Sequence, residues 1–198
     1  MTIEKGKEWG RPGIVPVDVV FAAEDSSVAR FPTSHVLPTG GNLWRSLGSP
    51  VRKDAGDECT ELTLDVLQCT VTGPSGIIEV MAVAQVVVGS WFAPGGMTVI
   101  TNVGTLGELN IAPRAHPNDG EFDVFTLDRG TSMRQRLIAR KRAVTGTHVP
   151  HPSMSVRRAR NIDIDRRARE PLFIDGDEFG PWMRVTVGIR PDFMTVLV

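Results

Sequence analysis

At 198 residues, with 41% hydrophobic and 23% charged residues, the chain is long enough to bury a core and too balanced to be disordered as a whole. Its formal net charge of −1 excludes a general attraction to polyanions. Two cysteines without CxxC spacing, Cys59 and Cys69, speak against a disulfide framework or zinc site.

The opening "MTIEKGKEWGRPG" has no apolar core of signal-peptide type and predicts a loose tail. Residues 17–22, "VDVVFA", predict a buried strand, and "AEDSSVARF" a turn with one helical turn. "SHVLP" (34–38) reads as another short strand. "TGGNLWRSLG" (39–48) reads as a glycine turn into a short helix ended by Gly48. A polar linker, "VRKDAGDE", follows at 51–58.

Beyond it the pattern becomes that of an antiparallel meander. "TELTLDVLQCTV" (60–71) alternates, with Leu62, Leu64 and Val66 on one face. "TGPSG" turns the chain into the long β-branched run 77–92. "APGG" turns it again into "MTVITNV". "EFDVFTL" (121–127) continues the strands. "SMRQRLIARKRAV" (132–144) predicts the main helix, because Met133, Leu137, Ile138 and Val144 stand near helical spacing with arginines elsewhere. "PLFID", "WMRVTVGI" and "FMTVLV" close the chain as strands. The expected class is mainly β (α+β), an antiparallel β-sandwich.

Charge is unevenly distributed. Residues 129–169 hold twelve Lys/Arg against two acids, Asp163 and Asp165. Such a segment can meet phosphate or an anionic membrane surface, or be only a solvated helix and edge strand. Aromatics are not interleaved with it, so nucleic acid is not an expected partner. No apolar run has the length to span a bilayer. The expectation is a cytoplasmic protein that can lie peripherally on a membrane.

Individual motifs are ambiguous alone. "HPNDGEFD" alternates acids around a glycine, as calcium loops do, but lacks the twelve-residue pattern and flanking helices. Asn-Asp-Gly is equally a hairpin turn. "FIDGDEFG" (173–180) offers Asp175, Asp177 and Glu178 as base or ligands, or as solvated turn residues. In "PTGGN" the glycines could present N–H groups to a phosphate, or form a plain loop. His148 and His151 in "THVPHP" read as loop residues, because the prolines forbid a metal-binding helix.

Taken in order, these motifs resemble the diacylglycerol/sphingosine lipid kinase family. "ITNVGTLGELNIAPRAHPNDGEFDVFTL" is similar to that family's Asn-Gly strand end, glycine-rich stretch, "iaP.A" and "dDG.lDv". "FIDGD" falls where the family has a strand ending in "DGE". "VLPTGGNLWRSLGSP" resembles "PlGTGNllArnLg". "VDVVFAAEDSSV" lies where the family has "strand–GGDGT–V".

The resemblance implies a C-terminal sandwich of NAD kinase/diacylglycerol kinase type over residues 58–198, and a truncated remnant of the nucleotide-binding α/β domain over 1–57. It implies Asp119 as a magnesium ligand, with backbone carbonyls near His116 and Glu121 completing the site. It implies Asp175 as the base that deprotonates a lipid hydroxyl, with Asp177 in the place of a Glu. Asp25 would match the Asp of GGDGT, and Gly40, Gly41 and Asn42 the second ATP loop.

The sequence departs from the family at GGDGT, which reads "AEDSS" here. Ala23, Glu24 and Ser26 add side chains where glycines let phosphates approach, and Glu24 adds repulsive charge. The order of "GTGN" is disturbed, and Asp177 is one methylene short of Glu. Phosphoryl transfer depends on positioning and charge neutralisation, so these losses predict weak or absent activity. Three readings follow. The first is a lipid-kinase-like protein with degenerate ATP motifs, binding anionic lipid, a partner or a second copy as a homodimer. The second is a minimal ATP-dependent kinase of a diacylglycerol-type hydroxyl, completing its cleft with another subunit. The third is an unrelated basic-surface protein.

Overall fold

Strands dominate the computed structural model, which describes residues 9–32, 35–93, 95–147, 153–166 and 170–198. The expected loops at residues 1–8 and at His148 and His151 lie outside these, as do Arg167 and Arg169 of the basic segment. The N-terminal part holds β1 (Arg11–Ile14), β2 (Val20–Ala22), α1 (Asp25–Ala29), β3 (Val36–Pro38) and α2 (Gly41–Ser46). The first half of the sandwich holds β4 (Glu58–Gly73), β5 (Gly76–Ala82), β6 (Gln85–Gly89), β7 (Met97–Thr101), β8 (Thr105–Leu106), β9 (Leu109–Asn110) and β10 (Phe122–Leu127). Then follow α3 (Met133–Ala143), β11 (Met154–Ala159), β12 (Asn161–Asp165), β13 (Leu172–Ile174), β14 (Asp177–Phe179) and β15 (Arg184–Leu197).

Two sheets face each other. The first runs β1-β4-β15-β3-β2, with β5 also on β4 and β12 also on β15; the second runs β11-β10-β7-β6-β13-β14. Every pair in them is antiparallel except β2 with β3 and β3 with β15. The N-terminal segment therefore continues the first sheet, and Ala22, Val28, Val36 and Leu43 share a core with Leu62, Leu64 and Val66.

β4 explains how one strand serves two cores. Leu62, Leu64 and Val66 face the N-terminal segment, as their alternation predicts. Leu67, Cys69 and Val71 point the other way and pack against Val86, Ile100 and Val124 between the sheets. Both cysteines are buried free thiols.

Two expectations are corrected here. The run 77–92 is not one strand but two, because it bends at Val83 and Ala84 between β5 and β6. Helix α3 forms where predicted and starts with a capping box of Ser132 and Gln135. Its apolar residues do not face the core, however. Arg136, Ala139 and Ala143 are buried instead, while Met133, Leu137, Ile138 and Val144 are exposed. The two alanines let the helix approach Val99, Phe125 and Leu127 on the outer face of the second sheet. Arg136 is accommodated because carbonyls receive its N–H groups: Thr131 at 2.8 Å, Trp91 at 2.9 Å, and Asp128 and Arg129 at 3.3 Å.

Candidate functional site: two carboxylate centres at one end of the sandwich

The first centre is built from the loop after β2, the start of α2 and the β13–β14 hairpin. Asp175 and Gly176 form that hairpin's two-residue turn with φ of +47° and +92°, as an Asp-Gly pair between strands favours. The left-handed backbone turns the Asp175 side chain inward. Its carboxylate accepts the N–H groups of Val83 (2.7 Å), Ala84 (3.0 Å) and Gln85 (2.8 Å). This is the cause of the bend between β5 and β6: a side chain replaces the strand partner for three successive amides. Burial pushes Asp175 up to about 7, although the three N–H groups favour its charged form and Asp25 nearby opposes it.

Asp25 does the same work for α2. Its carboxylate accepts the N–H groups of Asn42 (2.7 Å) and Leu43 (3.0 Å) and the Asn42 amide (3.1 Å). Burial raises its pKa, against those hydrogen bonds. Asn42 has no polar atom to spare, because its Oδ1 accepts from the Gly107 N–H at 2.7 Å. The two glycines serve close packing. A Cβ at Gly40 would lie 2.3 Å from the Ala23 carbonyl oxygen. At Gly41, whose φ is +88°, it would lie 2.3 Å from Asp25 Oδ1. Asp177 is half-exposed and meets Arg30 at 3.5 Å. Between α1, β5 and the hairpin lies a cavity of about 100 Å³ that touches Ser26, Arg30, Met81, Asp175, Asp177 and Phe179. Small-molecule sites usually measure about 300–1,000 Å³.

The second centre is the 116–121 loop, held by a residue to which the sequence reading assigned no role. Asp65 of β4 is fully buried and accepts the N–H groups of Gly120 (2.7 Å) and Asp192 (2.8 Å), while its own N–H donates to Pro117 at 2.8 Å. Burial raises Asp65, and the nearby acids Asp192 and Asp119 add to that rise. The only sequence signal was an acid at an inward position of an alternating strand. Asn102 joins the two centres by donating its amide to the carbonyls of Asp65 (2.8 Å) and Val83 (3.3 Å).

Asp119 faces Arg158 at 3.1 Å, and Glu121 faces Arg158 at 3.6 Å and Arg160 at 3.4 Å. His116 is half-buried and held toward its neutral form by desolvation; its Nδ1 accepts the Asn118 N–H. Among the described residues no group of three or more His, Cys, Asp or Glu side chains is placed to hold a metal ion. Asp119, the carboxylate expected to hold magnesium, is paired with a cation of the protein itself. Thus Asp25, Gly40, Gly41, Asn42, Asp175 and Asp177 gather at the first centre, and His116, Asp119 and Glu121 at the second.

Two facing, mainly antiparallel sheets define a β-sandwich. Residues 79–198 match the YegS C-terminal NAD kinase beta sandwich-like domain, and the chain belongs to that family. The fold is also that of a diacylglycerol kinase from Bacillus anthracis str. Sterne, with a TM-score of 0.58 at 10% identity over 90% of this chain and 75% of that one. A putative diacylglycerol kinase from the same organism aligns with a TM-score of 0.55 at 12% identity, over 90% of this chain and 76% of that one. No curated protein matches significantly. Among the described residues no helix is long and apolar enough to cross a membrane.

Proposed function

We propose that this protein is a diacylglycerol kinase-like, lipid-binding protein that transfers no phosphate. One observation carries the reading: the amides that would receive a nucleotide phosphate already hold a carboxylate. The first N–H groups of α2 are the usual anion donors of such a turn, and Asp25 occupies them at 2.7 and 3.0 Å. A phosphate brought there would meet Asp25 and, on the same loop, Glu24. The glycines give it no entry, since the Ala23 carbonyl and the Asp25 carboxylate fill the space beside them. Asp175 is committed as well, with three amides on its two oxygens. The lipid side of the proposal is supported by the family and by the excess of positive charge over residues 129–169.

A second reading is favoured by one specific feature. A carboxyl raised to about 7 is well matched to accept a proton from a lipid hydroxyl at neutral pH. In that reading the chain is a minimal kinase. Titration calorimetry with ATP–magnesium and transfer of labelled phosphate to diacylglycerol separate the two. The first reading expects neither saturable heat nor labelled lipid. Transfer that Asp175→Asn abolishes, in a variant that still folds, establishes the second.

A further inference from the structure

Helix α3 presents an apolar ridge to solvent and is fixed in that orientation. Met133, Leu137, Ile138 and Val144 are 50, 54, 45 and 54% exposed, and Phe92 beside the helix is 49% exposed. The helix cannot roll to bury them. Four carbonyls hold Arg136, and the Trp91 indole donates to the Arg136 carbonyl at 3.0 Å. On helical geometry Met133, Leu137 and Val144 fall along one line, and Arg134, Ile138 and Lys141 along the next. Arg140 lies 5.6 Å from the centre of the Phe92 ring, extending the ridge across to it.

The charge on the helix itself is all of one sign. The segment "MRQRLIARKRA" holds no acid, and among the described residues none pairs with Arg134, Lys141 or Arg142. Single exposed apolar residues need no explanation, whereas four along one short helix and its C-terminal residue, with Phe92 beside them, mark a contact surface. Long cations flanking apolar side chains match the boundary of an anionic bilayer. The apolar groups enter the acyl region while guanidinium and ammonium groups reach lipid phosphates. A second copy fits worse, because a two-fold contact through this ridge sets two rows of unpaired cations against each other.

We infer that the outer face of α3, with Phe92, docks the protein onto anionic phospholipid membrane. This rests on the lipid-binding half of the proposal above and not on whether phosphate is transferred. It is tested by co-sedimentation of the full chain with vesicles of phosphatidylcholine alone or mixed with phosphatidylglycerol, at low and high salt. The wild type should pellet with the mixed vesicles only, and salt should weaken it. Leu137→Ser with Ile138→Ser should lower partitioning at least about tenfold with an unchanged Tm. Arg134→Gln with Lys141→Gln should lower it about thirtyfold on mixed vesicles. Wild-type binding that the ridge variant retains in full overturns the assignment to α3 while leaving lipid binding intact. Failure of the wild type to bind any vesicle overturns both. A ridge variant that turns a dimer into a monomer and keeps its vesicle binding gives the face to a second copy.

Discussion

Asp175 sits where three amides of a bent strand need an acceptor, and this structural duty has measurable consequences. Asp175→Ala leaves three buried N–H groups without partners, so unfolding by denaturant should show a loss of about 3 kcal/mol or more. Its pH behaviour follows from its raised pKa of about 7. A carboxyl that is harder to ionise folded than unfolded adds stability below its unfolded pKa. That contribution fades as pH rises to the folded value. The stability of wild type relative to Asp175→Asn should therefore fall from about pH 4 to about pH 7 and level off above it, read from urea midpoints. A wild-type advantage that grows with pH over that range contradicts the assignment. Gly41 makes a similar point, since its added Cβ meets Asp25 at 2.3 Å at a φ of +88°. Gly41→Ala should cost about 2 kcal/mol. At Gly48, also left-handed but with no neighbour within 4 Å, only the backbone strain remains, so Gly48→Ala should cost about half as much.

At the scale of elements, α3 shows what a sequence pattern reveals and what it hides. The helix is legible from the near-helical spacing of Met133, Leu137, Ile138 and Val144. Its orientation is not legible, because periodicity marks an apolar face without saying what lies opposite. Here small alanines and one arginine make the closer contact with the sheet, and the larger apolar residues turn outward. Arg136→Met should cost about 3 kcal/mol, since it strips buried carbonyls of their donor. Leu137→Ser should change stability by less than about 0.5 kcal/mol, and thermal melts of both variants compare them directly. The β5–β6 bend was hidden for another reason. "MAVAQ" contains no Gly or Pro, and the group that bends it is Asp175, some ninety positions away. The Asp-Gly turns were legible because their chemistry is local. Asp65 was not, because an inward acid on a strand declares nothing until the two loops it holds are brought to it.

Across the whole molecule, β4 divides the core between the N-terminal segment and the sandwich, two carboxylate centres lie at one end, and α3 covers the outer face of the second sheet over a further apolar cluster, with its larger apolar residues exposed. The family and the sandwich follow from the order of landmarks along the chain. The state of the loop before α2 does not, because it depends on Asp25 reaching the amides of α2 across 17 positions. The proposed closure of this loop by the protein's own carboxylate has a direct readout. It is tested most directly by calorimetric titration of the full chain with ATP–magnesium, with Tm followed in parallel. No saturable heat and no rise in Tm are expected at millimolar nucleotide. Saturable binding accompanied by a Tm that climbs with ATP concentration would contradict it.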